Sequence, residues 1–410
     1  MKHALFIVSL LDGKGPTGVE KHFNDMLHQA RCHEIDAELV APYPRRGIAR
    51  KGAAMAARMI GTFDRERAAI FDAWIETKTL ERKLAGILPR YAALGRTITL
   101  CAQDPLSALA ALQVKAGHDC RVVIVIHYNV SVAEEMFLKG ETTVQGPLWN
   151  FAFRTERQAL ARVDQIIFVS EFMRKLTLQR MPELDSVSHT VIPNFIADSP
   201  ASEAVTSFDA DLISIGTLEP RKNQVFLLRV LARAAQLGHR YTLTLVGNGP
   251  EAGRLQQQAA ELGVAGQVHF AGFCKNAGNL IVRHRVLAHA ARIENMPITL
   301  IEALAAGRPI LAPAVGGITE IFDHGVEGYH WPLQDVDSAA ALLIELLGRP
   351  DIYASFSQAA LVRYRSKFDG DLLVSHWLTT ILNSHGSSHT GWQKTWRPMP
   401  ALDRDPMAQA

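Results

Sequence analysis

Residues 211–224 read DLISIGTLEPRKNQ, and this stretch carries the pattern from which the fold is inferred. An apolar run ends at Gly216, a polar loop follows, and a helical pattern begins near Gln224. Similar apolar runs, each followed by a loop and a helix, occur at residues 242–246, 268–271, 286–288 and 309–312. Strands that alternate with helices form parallel sheets with helices on both faces. This half of the chain is therefore predicted to be a doubly wound α/β domain.

The N-terminal half repeats the alternation. Its predicted strands are residues 4–10, 38–41, 97–101, 122–126 and 165–169. Between the halves, residues 194–208 are rich in Ser, Ala and Pro and lack a hydrophobic period, which is typical of a linker. The predicted units are an N-terminal domain over 1–195, a C-terminal domain over 209–368, a helix over 369–385 that returns to the first domain, and a poorly ordered tail over 386–410.

Composition narrows the class of protein. Of the 410 residues, 48% are hydrophobic and 20% are charged, as in an ordinary globular protein. The 43 Lys and Arg against 41 Asp and Glu leave a net charge of +2, which argues against nucleic acid as the main partner. The four cysteines form no C-x-x-C pair, so neither a disulfide framework nor a thiolate metal site is expected. A reducing, cytoplasmic setting fits this pattern.

A glycine-rich loop follows the first predicted strand. Residues 13–18, GKGPTG, match the G-x-G-x-x-G fingerprint of dinucleotide-binding loops. The fingerprint also needs an acidic residue at the end of the second strand, but Asp36 and Glu38 lie at its beginning. Pro16 also stiffens the loop. A nicotinamide cofactor is therefore not expected, and the loop either meets a phosphate or sugar through its N–H groups or is only a tight turn.

Charged residues follow two strands of the C-terminal half. Arg221 and Lys222 lie where they can neutralise a diphosphate, although such a pair is often only solvated charge. Residues 294–302, ENMPITLIE, place Glu294 in the loop before a helix and Glu302 in its second turn. Glu294 can then reach sugar hydroxyls and Glu302 a ribose diol, with the N–H groups of the first helical turn between them. An isolated E-x7-E can equally be two surface carboxylates.

His127 directly follows the predicted strand at 122–126, at the strand end that faces ligands in open α/β sheets. A histidine at this position can form a hydrogen bond with a sugar hydroxyl or assist proton transfer; alternatively, it is a structural residue of the core. Residues 314–321 contain a glycine turn that can bring the backbone close to a ligand. No D-x-D pair follows a strand, so no metal is expected, and Arg221 and Lys222 would supply the positive charge.

These segments resemble family 4 of the retaining, nucleotide-sugar-dependent glycosyltransferases, also called group 1. The matching stretches of the C-terminal half are 213–223, 245–250, 268–273, 294–313, 316–321 and 325–328. The N-terminal half matches more loosely, at 18–21, 127, 169–171 and 192–194. The resemblance implies the GT-B fold, in which two Rossmann-like domains face each other across a cleft. The first domain would bind the acceptor and the second the nucleotide-sugar donor.

The resemblance also implies roles for individual residues. Arg221 and Lys222 would bind the donor diphosphate and Glu302 the ribose. The expected catalytic residues are Glu294, His127, Arg221 and Lys222. The expected donor-binding residues are Gly18, Gly216, Arg221, Lys222, Glu294, Thr299, Leu300 and Glu302. Many members of the family have Ser where this chain has Ala291.

The implied reaction is transfer of a hexose, with retention, from GDP-mannose or a UDP-hexose to a lipid-linked or glycan acceptor in surface polysaccharide biosynthesis, without a metal or other cofactor. The alternative is a GT-B-type sugar-nucleotide 2-epimerase. Residues 45–67 hold seven basic and two acidic residues. This segment predicts peripheral contact with anionic lipid at the inner face of the cytoplasmic membrane, and a solvated helix is the ordinary alternative.

Overall fold

The structure is a computed structural model that describes residues 3–15, 17–42, 61, 64–196 and 208–382. The predicted tail, most of the predicted linker and most of the basic segment at 45–67 lie outside these residues. The predicted α/β architecture is confirmed, because each half contains one parallel sheet of six strands surrounded by helices.

The N-terminal sheet is built from strands of three to seven residues. They are β1 (His3–Val8), β2 (Asp36–Val40), β3 (Thr97–Ala102), β4 (Cys120–Ile126), β5 (Gln165–Phe168) and β6 (His189–Val191). Their order is β2-β1-β3-β4-β5-β6, and all pairs are parallel. The helices are α1 (Gly18–Cys32), α2 (Arg65–Ala93), α3 (Pro105–Lys115), α4 (Val132–Leu138), α5 (Pro147–Leu160) and α6 (Glu171–Arg180).

The C-terminal sheet repeats this design. Its strands are β7 (Ala210–Ile215), β8 (Leu243–Val246), β9 (Val268–Gly272), β10 (His284–Ala288), β11 (Ile310–Ala312) and β12 (Gly328–His330). The order is β12-β11-β10-β7-β8-β9, again all parallel. The helices are α7 (Gln224–Gln236), α8 (Ala252–Glu261), α9 (Ile298–Ala305), α10 (Val336–Gly348) and α11 (Pro350–Arg363), followed by a π-helical turn at Tyr364–Phe368.

The central strands are apolar because helices cover both faces of each sheet. In β4, the run from Val122 to Ile126 is entirely buried. The outermost strands β6 and β12 were not predicted, because their sequences HTV and GYH contain no apolar run. No helix in the described part of the chain combines the length and the apolar character that a membrane span requires.

A last helix, α12 (Gly370–Leu382), packs against the N-terminal domain. The Trp377 ring is buried against His22, and its Nε1 donates to the Pro193 carbonyl at 3.0 Å. The Arg121 guanidinium donates to the carbonyls of Thr380 and Ile381, both at 3.0 Å. After Phe368 the chain therefore returns from the second domain to the first.

Candidate active site at the interdomain cleft

The loop after β7 brings a cation to a buried carboxylate. A short 3-10 turn at Pro220–Lys222 follows the loop, and Asn223 adopts a left-handed conformation (φ 55°) directly before α7. This turn directs the Lys222 ammonium to Glu294 Oε1, with which it forms an ion pair. Gly216 lies beside the same lysine, since a methyl group there would contact Lys222 Cε at 3.7 Å. Two loops that are 72 positions apart in sequence thus meet at one point.

Glu294 is only 6% exposed and has three cationic or potentially cationic neighbours. Besides Lys222, Arg221 Nη1 lies 3.5 Å and His289 Nε2 lies 3.3 Å from Glu294 Oε1. Burial alone raises the pKa of Glu294, but Lys222, His289 and Arg221 overcome this effect and hold the pKa far below its usual range. Burial lowers the pKa of His289, so its ring is neutral at pH 7. Glu294 is therefore an ionised hydrogen-bond acceptor.

Arg221 is anchored by protein groups. Its Nε and Nη2 donate to Glu219 Oε1 at 3.2 and 2.9 Å, and its Nη1 donates to the Ile293 carbonyl at 3.2 Å. Burial lowers the pKa of Arg221, but the carboxylates of Glu294 and Glu219 outweigh it and raise the pKa. Three of the five guanidinium N–H groups are thus engaged, which fixes the orientation of the charge.

The predicted glycine turn supports the backbone of the Glu294 loop. The Gly317 N–H donates to the Glu294 carbonyl at 2.9 Å. A methyl group at Gly316 would overlap the Glu294 carbonyl, and one at Gly317 would overlap the Asn295 carbonyl. Gly316 also has a positive φ of 56°, which disfavours other residues. The turn therefore contacts the loop that carries the carboxylate.

Helix α9 begins at the cleft. Its N-cap is Pro297, and among the described residues no side chain caps the N–H groups of the first turn. Thr299 and Leu300 belong to this turn, as expected. Gly18 of α1 approaches it from the other domain, because a methyl group at Gly18 would lie 3.6 Å from Ile298 Cδ1.

Glu302 points back toward the N-terminal domain from the second turn of α9. It is 5% exposed, and its Oε1 forms an ion pair with Lys21 Nζ of α1. A methyl group at Gly278 would overlap this carboxylate, so close packing also fixes it. Glu294, in the loop before α9, and Glu302, in its second turn, thus have separate cationic partners.

His127 lies directly after β4, and its Nε2 is 3.0 Å from Gln103 Oε1. The Gln103 amide nitrogen donates to the Cys101 carbonyl at 3.3 Å, so the amide oxygen is the atom that faces the histidine. His127 Nε2 must therefore carry the proton, which leaves Nδ1 as an acceptor. Burial lowers the pKa of His127 to about 3, so the ring is neutral at physiological pH.

The glycine-rich loop of the N-terminal domain has its N–H groups engaged. Thr17 and Glu20 form a capping box at the start of α1. The Glu20 carboxylate accepts from the Gly15 N–H at 2.7 Å and from the Thr17 hydroxyl at 3.0 Å. The Gly15 N–H is thus already bonded to a protein carboxylate, which makes it unavailable to a pyrophosphate.

The structure therefore brings Arg221, Lys222 and Glu294 into direct contact and places Gly216 beside Lys222. The other predicted residues have separate partners: Glu302 contacts Lys21, Gly18 approaches Ile298, and His127 contacts Gln103. Sequence reasoning gave no role to Lys21, Gln103, Glu219, His289 or Asn295. Lys21, Glu219 and Asn295 lie in the matching stretches 18–21, 213–223 and 294–313, which is the sequence signal that could have found them.

Comparison with known proteins identifies the family. The family model for group 1 glycosyl transferases matches residues 198–363, and the model for glycosyltransferase family 4 matches residues 16–199. A solved structure of HepE from Anabaena with UDP superposes over 93% of this chain and 99% of its own, with a TM-score of 0.65 and 17% identity. The fold is therefore GT-B. The chain belongs to the group 1, family 4 glycosyltransferases.

Sequence relatives match over shorter stretches. N-acetyl-alpha-D-glucosaminyl L-malate synthase of Bacillus anthracis is 29% identical over 137 residues, which is 33% of this chain and 36% of that protein. Glycogen synthase of Mycobacterium tuberculosis is 27% identical over 274 residues, 65% of this chain and 64% of that protein. An exopolysaccharide phosphotransferase of Streptomyces coelicolor is 28% identical over 162 residues, 39% of this chain and 17% of that protein. The chain thus covers less than two thirds of each of these relatives.

Proposed function

We propose that the protein transfers a hexose from a nucleoside diphosphate sugar, GDP-mannose or a UDP-hexose, to a lipid-linked or glycan acceptor in surface polysaccharide assembly. The observation that carries the proposal is the buried Glu294, paired with Lys222 and Arg221 at the start of the helix that holds Glu302. The similarity to a glycogen synthase and to an exopolysaccharide phosphotransferase supports a glycan product.

The charges of the site suit a diphosphate leaving group. Lys222 and Arg221 are balanced by Glu294 and Glu219, so these four side chains have no net charge before the donor binds. The Lys222 ammonium would contact both the donor diphosphate and Glu294, and the Arg221 guanidinium would add a fixed positive charge nearby. Because these cations are already oriented, they stabilise the negative charge that develops as the sugar–phosphate bond breaks.

Retention of configuration would follow from attack on the face that the diphosphate leaves. The acceptor oxygen bonds to the anomeric carbon while the bond to the diphosphate breaks, and the acceptor proton passes to the departing phosphate oxygen. Glu294 would accept hydrogen bonds from donor-sugar hydroxyls, and Glu302 from the ribose diol. His127 Nδ1 would accept a hydrogen bond from a sugar hydroxyl.

An exposed apolar surface supports the membrane part of the proposal. Phe137, Leu138 and Val144 are 45%, 43% and 55% exposed in and after α4. Glu66 in the first turn of α2 accepts from the Thr143 N–H at 3.0 Å, so the end of the basic segment adjoins this surface. Aromatic and aliphatic side chains next to basic residues suit an anionic bilayer that carries a lipid-linked acceptor at the cytoplasmic face.

Vesicle sedimentation tests the membrane part. Binding to vesicles that contain anionic lipid should weaken with salt and with Phe137→Glu, while Phe153→Glu on α5 serves as an apolar-to-acidic control. The absence of any salt-sensitive binding would contradict this part of the proposal and leave the reaction unaffected.

A thermal-unfolding panel of UDP- and GDP-sugars tests donor binding, because a ligand that binds only the folded state raises its stability.

The anomer of the product, determined by NMR, tests retention. Activity is expected to persist in EDTA, since Lys222 and Arg221 can serve the diphosphate. Conversion of a donor to its C2 epimer without any acceptor would instead favour the 2-epimerase. Wild-type transfer by Glu302→Gln would contradict the proposed site.

A further inference from the structure

Asn295, the residue after Glu294, joins the two domains through its side chain. It is 2% exposed. Its Nδ2 donates to the carbonyls of Ile126 at 3.2 Å and Tyr128 at 2.9 Å, and its Oδ1 accepts from the Ser170 hydroxyl. All three partners belong to the N-terminal domain. Both polar atoms of the Asn295 amide, which lies in a loop of the C-terminal domain, therefore form hydrogen bonds across the cleft.

The two carbonyls flank His127. The amide orientation is unambiguous, because a reversed Asn295 would place its oxygen against two carbonyl oxygens. A buried amide with three satisfied bonds is costly to displace, since each broken bond would leave a polar atom without a partner. The backbone on both sides of His127 is thus bonded to the residue next to Glu294.

We propose that Asn295 is a positioning residue for transfer, which fixes Glu294 and His127 relative to each other across the cleft. This inference rests on the proposed function of those two residues. Asn295 itself need not contact the substrate. Its effect is geometric: it holds two groups, one from each domain, at the separation that the donor sugar requires.

Neighbouring contacts show that a change at Asn295 can be local. The Glu320 carboxylate accepts from the N–H groups of Glu171 and Phe172 at 2.8 and 2.6 Å, which caps α6 from the other domain. Asn194 Nδ2 donates to the Met296 carbonyl at 2.9 Å. These bonds remain when Asn295 is replaced, so the variant is expected to fold.

Steady-state kinetics on Asn295→Ala tests the proposal, with Asn150→Ala as the matched control. Asn150 is exposed on α5, and its side chain donates to the nearby Gln145 carbonyl.

In Asn295→Ala, kcat should fall roughly tenfold to a hundredfold, because misplaced reacting groups lower the rate by this order. The donor KM and the affinity for UDP and GDP should stay within roughly threefold, because Lys222 and Glu302 are unchanged. A parallel loss of kcat, nucleotide affinity and thermal stability would indicate a purely structural residue and overturn the proposal, as would kcat equal to that of the control.

Asn295→Asp separates this inference from the proposed function. Its buried carboxylate would face the Ile126 and Tyr128 carbonyls, and the resulting repulsion should open the cleft. Small-angle scattering should therefore give a larger radius of gyration for Asn295→Asp than for Asn150→Asp, with or without sugar transfer. Failure of the wild type to transfer any sugar would refute the proposed function, whereas identical scattering of the two variants would refute the role of Asn295.

Discussion

Lys21 and Glu302 form an ion pair that joins helix α1 of the N-terminal domain to helix α9 of the C-terminal domain. The Glu302 side chain is 6% exposed, whereas that of Lys21 is 42% exposed. Because Glu302 is the proposed ribose-binding residue, the first domain contacts the nucleotide site through this lysine. A carboxylate can accept about four hydrogen bonds, so Glu302 can keep its ion pair with Lys21 and still accept a hydrogen bond from a ribose hydroxyl.

Reversing the charge of Lys21 should separate the domains at this point. Lys21→Met removes the cation beside the buried Glu302 carboxylate and should lower stability, but by less than Lys222→Met does, because Lys21 is 42% exposed and water can reach its place. Lys21→Glu places a second carboxylate beside the buried Glu302 and should weaken UDP or GDP binding more than Lys21→Met does. Isothermal titration of the nucleotides measures the difference. Equal affinities for the two variants would show that the ion pair does not influence the nucleotide site.

Removal of Lys222 should damage both stability and transfer. Lys222→Met leaves Glu294 buried without its nearest cation, and such losses cost about 3–5 kcal/mol. The double variant Lys222→Met with Glu294→Gln removes that buried charge, so it should recover much of the stability but none of the activity. Urea unfolding and transfer assays distinguish the two effects. Recovery of activity in the double variant would exclude Lys222 from the reaction.

Gln103 should determine the tautomer of His127. In Gln103→Leu the acceptor at Nε2 is lost, so the ring is free to protonate at Nδ1, which can then no longer accept a hydrogen bond. Nitrogen-15 NMR of labelled histidine, assigned with a His127→Asn variant, should show a protonated Nε2 in the wild type and a mixture in Gln103→Leu. The kcat of transfer should fall with the Nε2–H population. A wild-type His127 protonated at Nδ1 would contradict the hydrogen-bond assignment.

Acid should destabilise the protein through His127. Its pKa is lowered to about 3 in the folded protein, whereas an unfolded histidine titrates near pH 6.5. Between these values the unfolded state binds more protons, so stability falls as pH decreases below 6.5. At pH 5.5 the loss due to His127 is about 1.4 kcal/mol relative to neutral pH. Burial also lowers the pKa values of His22 and His289, which act in the same direction.

Urea unfolding at pH 7.5 and 5.5 measures this effect. The difference in unfolding free energy between the two pH values should be smaller by about 1.4 kcal/mol in His127→Asn than in the wild type. Equal differences in the two proteins would mean that His127 titrates normally in the folded state.

Gly317 should tolerate no side chain. Gly317→Ala would push its methyl group into the Asn295 carbonyl and displace the Glu294 loop, so both thermal stability and transfer should fall. Gly253→Ala is the control, because nothing lies within 4 Å of a methyl group there and the residue lies within helix α8. The control should be neutral or slightly stabilising. Wild-type behaviour of Gly317→Ala would show that the turn can move without affecting the site.

The sequence predicted the parts of the site that lie at strand ends. Gly216, Lys222, Glu294 and His127 follow strands of parallel sheets, and such ends meet at one edge of the sheet. Asn295 could not be predicted in this way, because its partners Ile126 and Ser170 lie 169 and 125 positions away. The anchoring of Arg221 by Glu219 was also missed, since short-range charge pairs in a loop have no characteristic pattern.

Helix α12 makes the N-terminal domain discontinuous in sequence. Its Trp377 and the Arg121 bonds to its last turn complete a domain whose other residues precede position 197. In effect, the C-terminal domain is inserted between two pieces of the N-terminal domain. A chain shortened to end near residue 368 would therefore lose part of the first domain and expose the surface around His22, while the second domain would keep all its residues. For separate expression of the second domain, residues 208–368 are the better suited unit. The two domains are also linked covalently at both ends of the insertion, so any opening of the cleft must be accommodated by two chain crossings together.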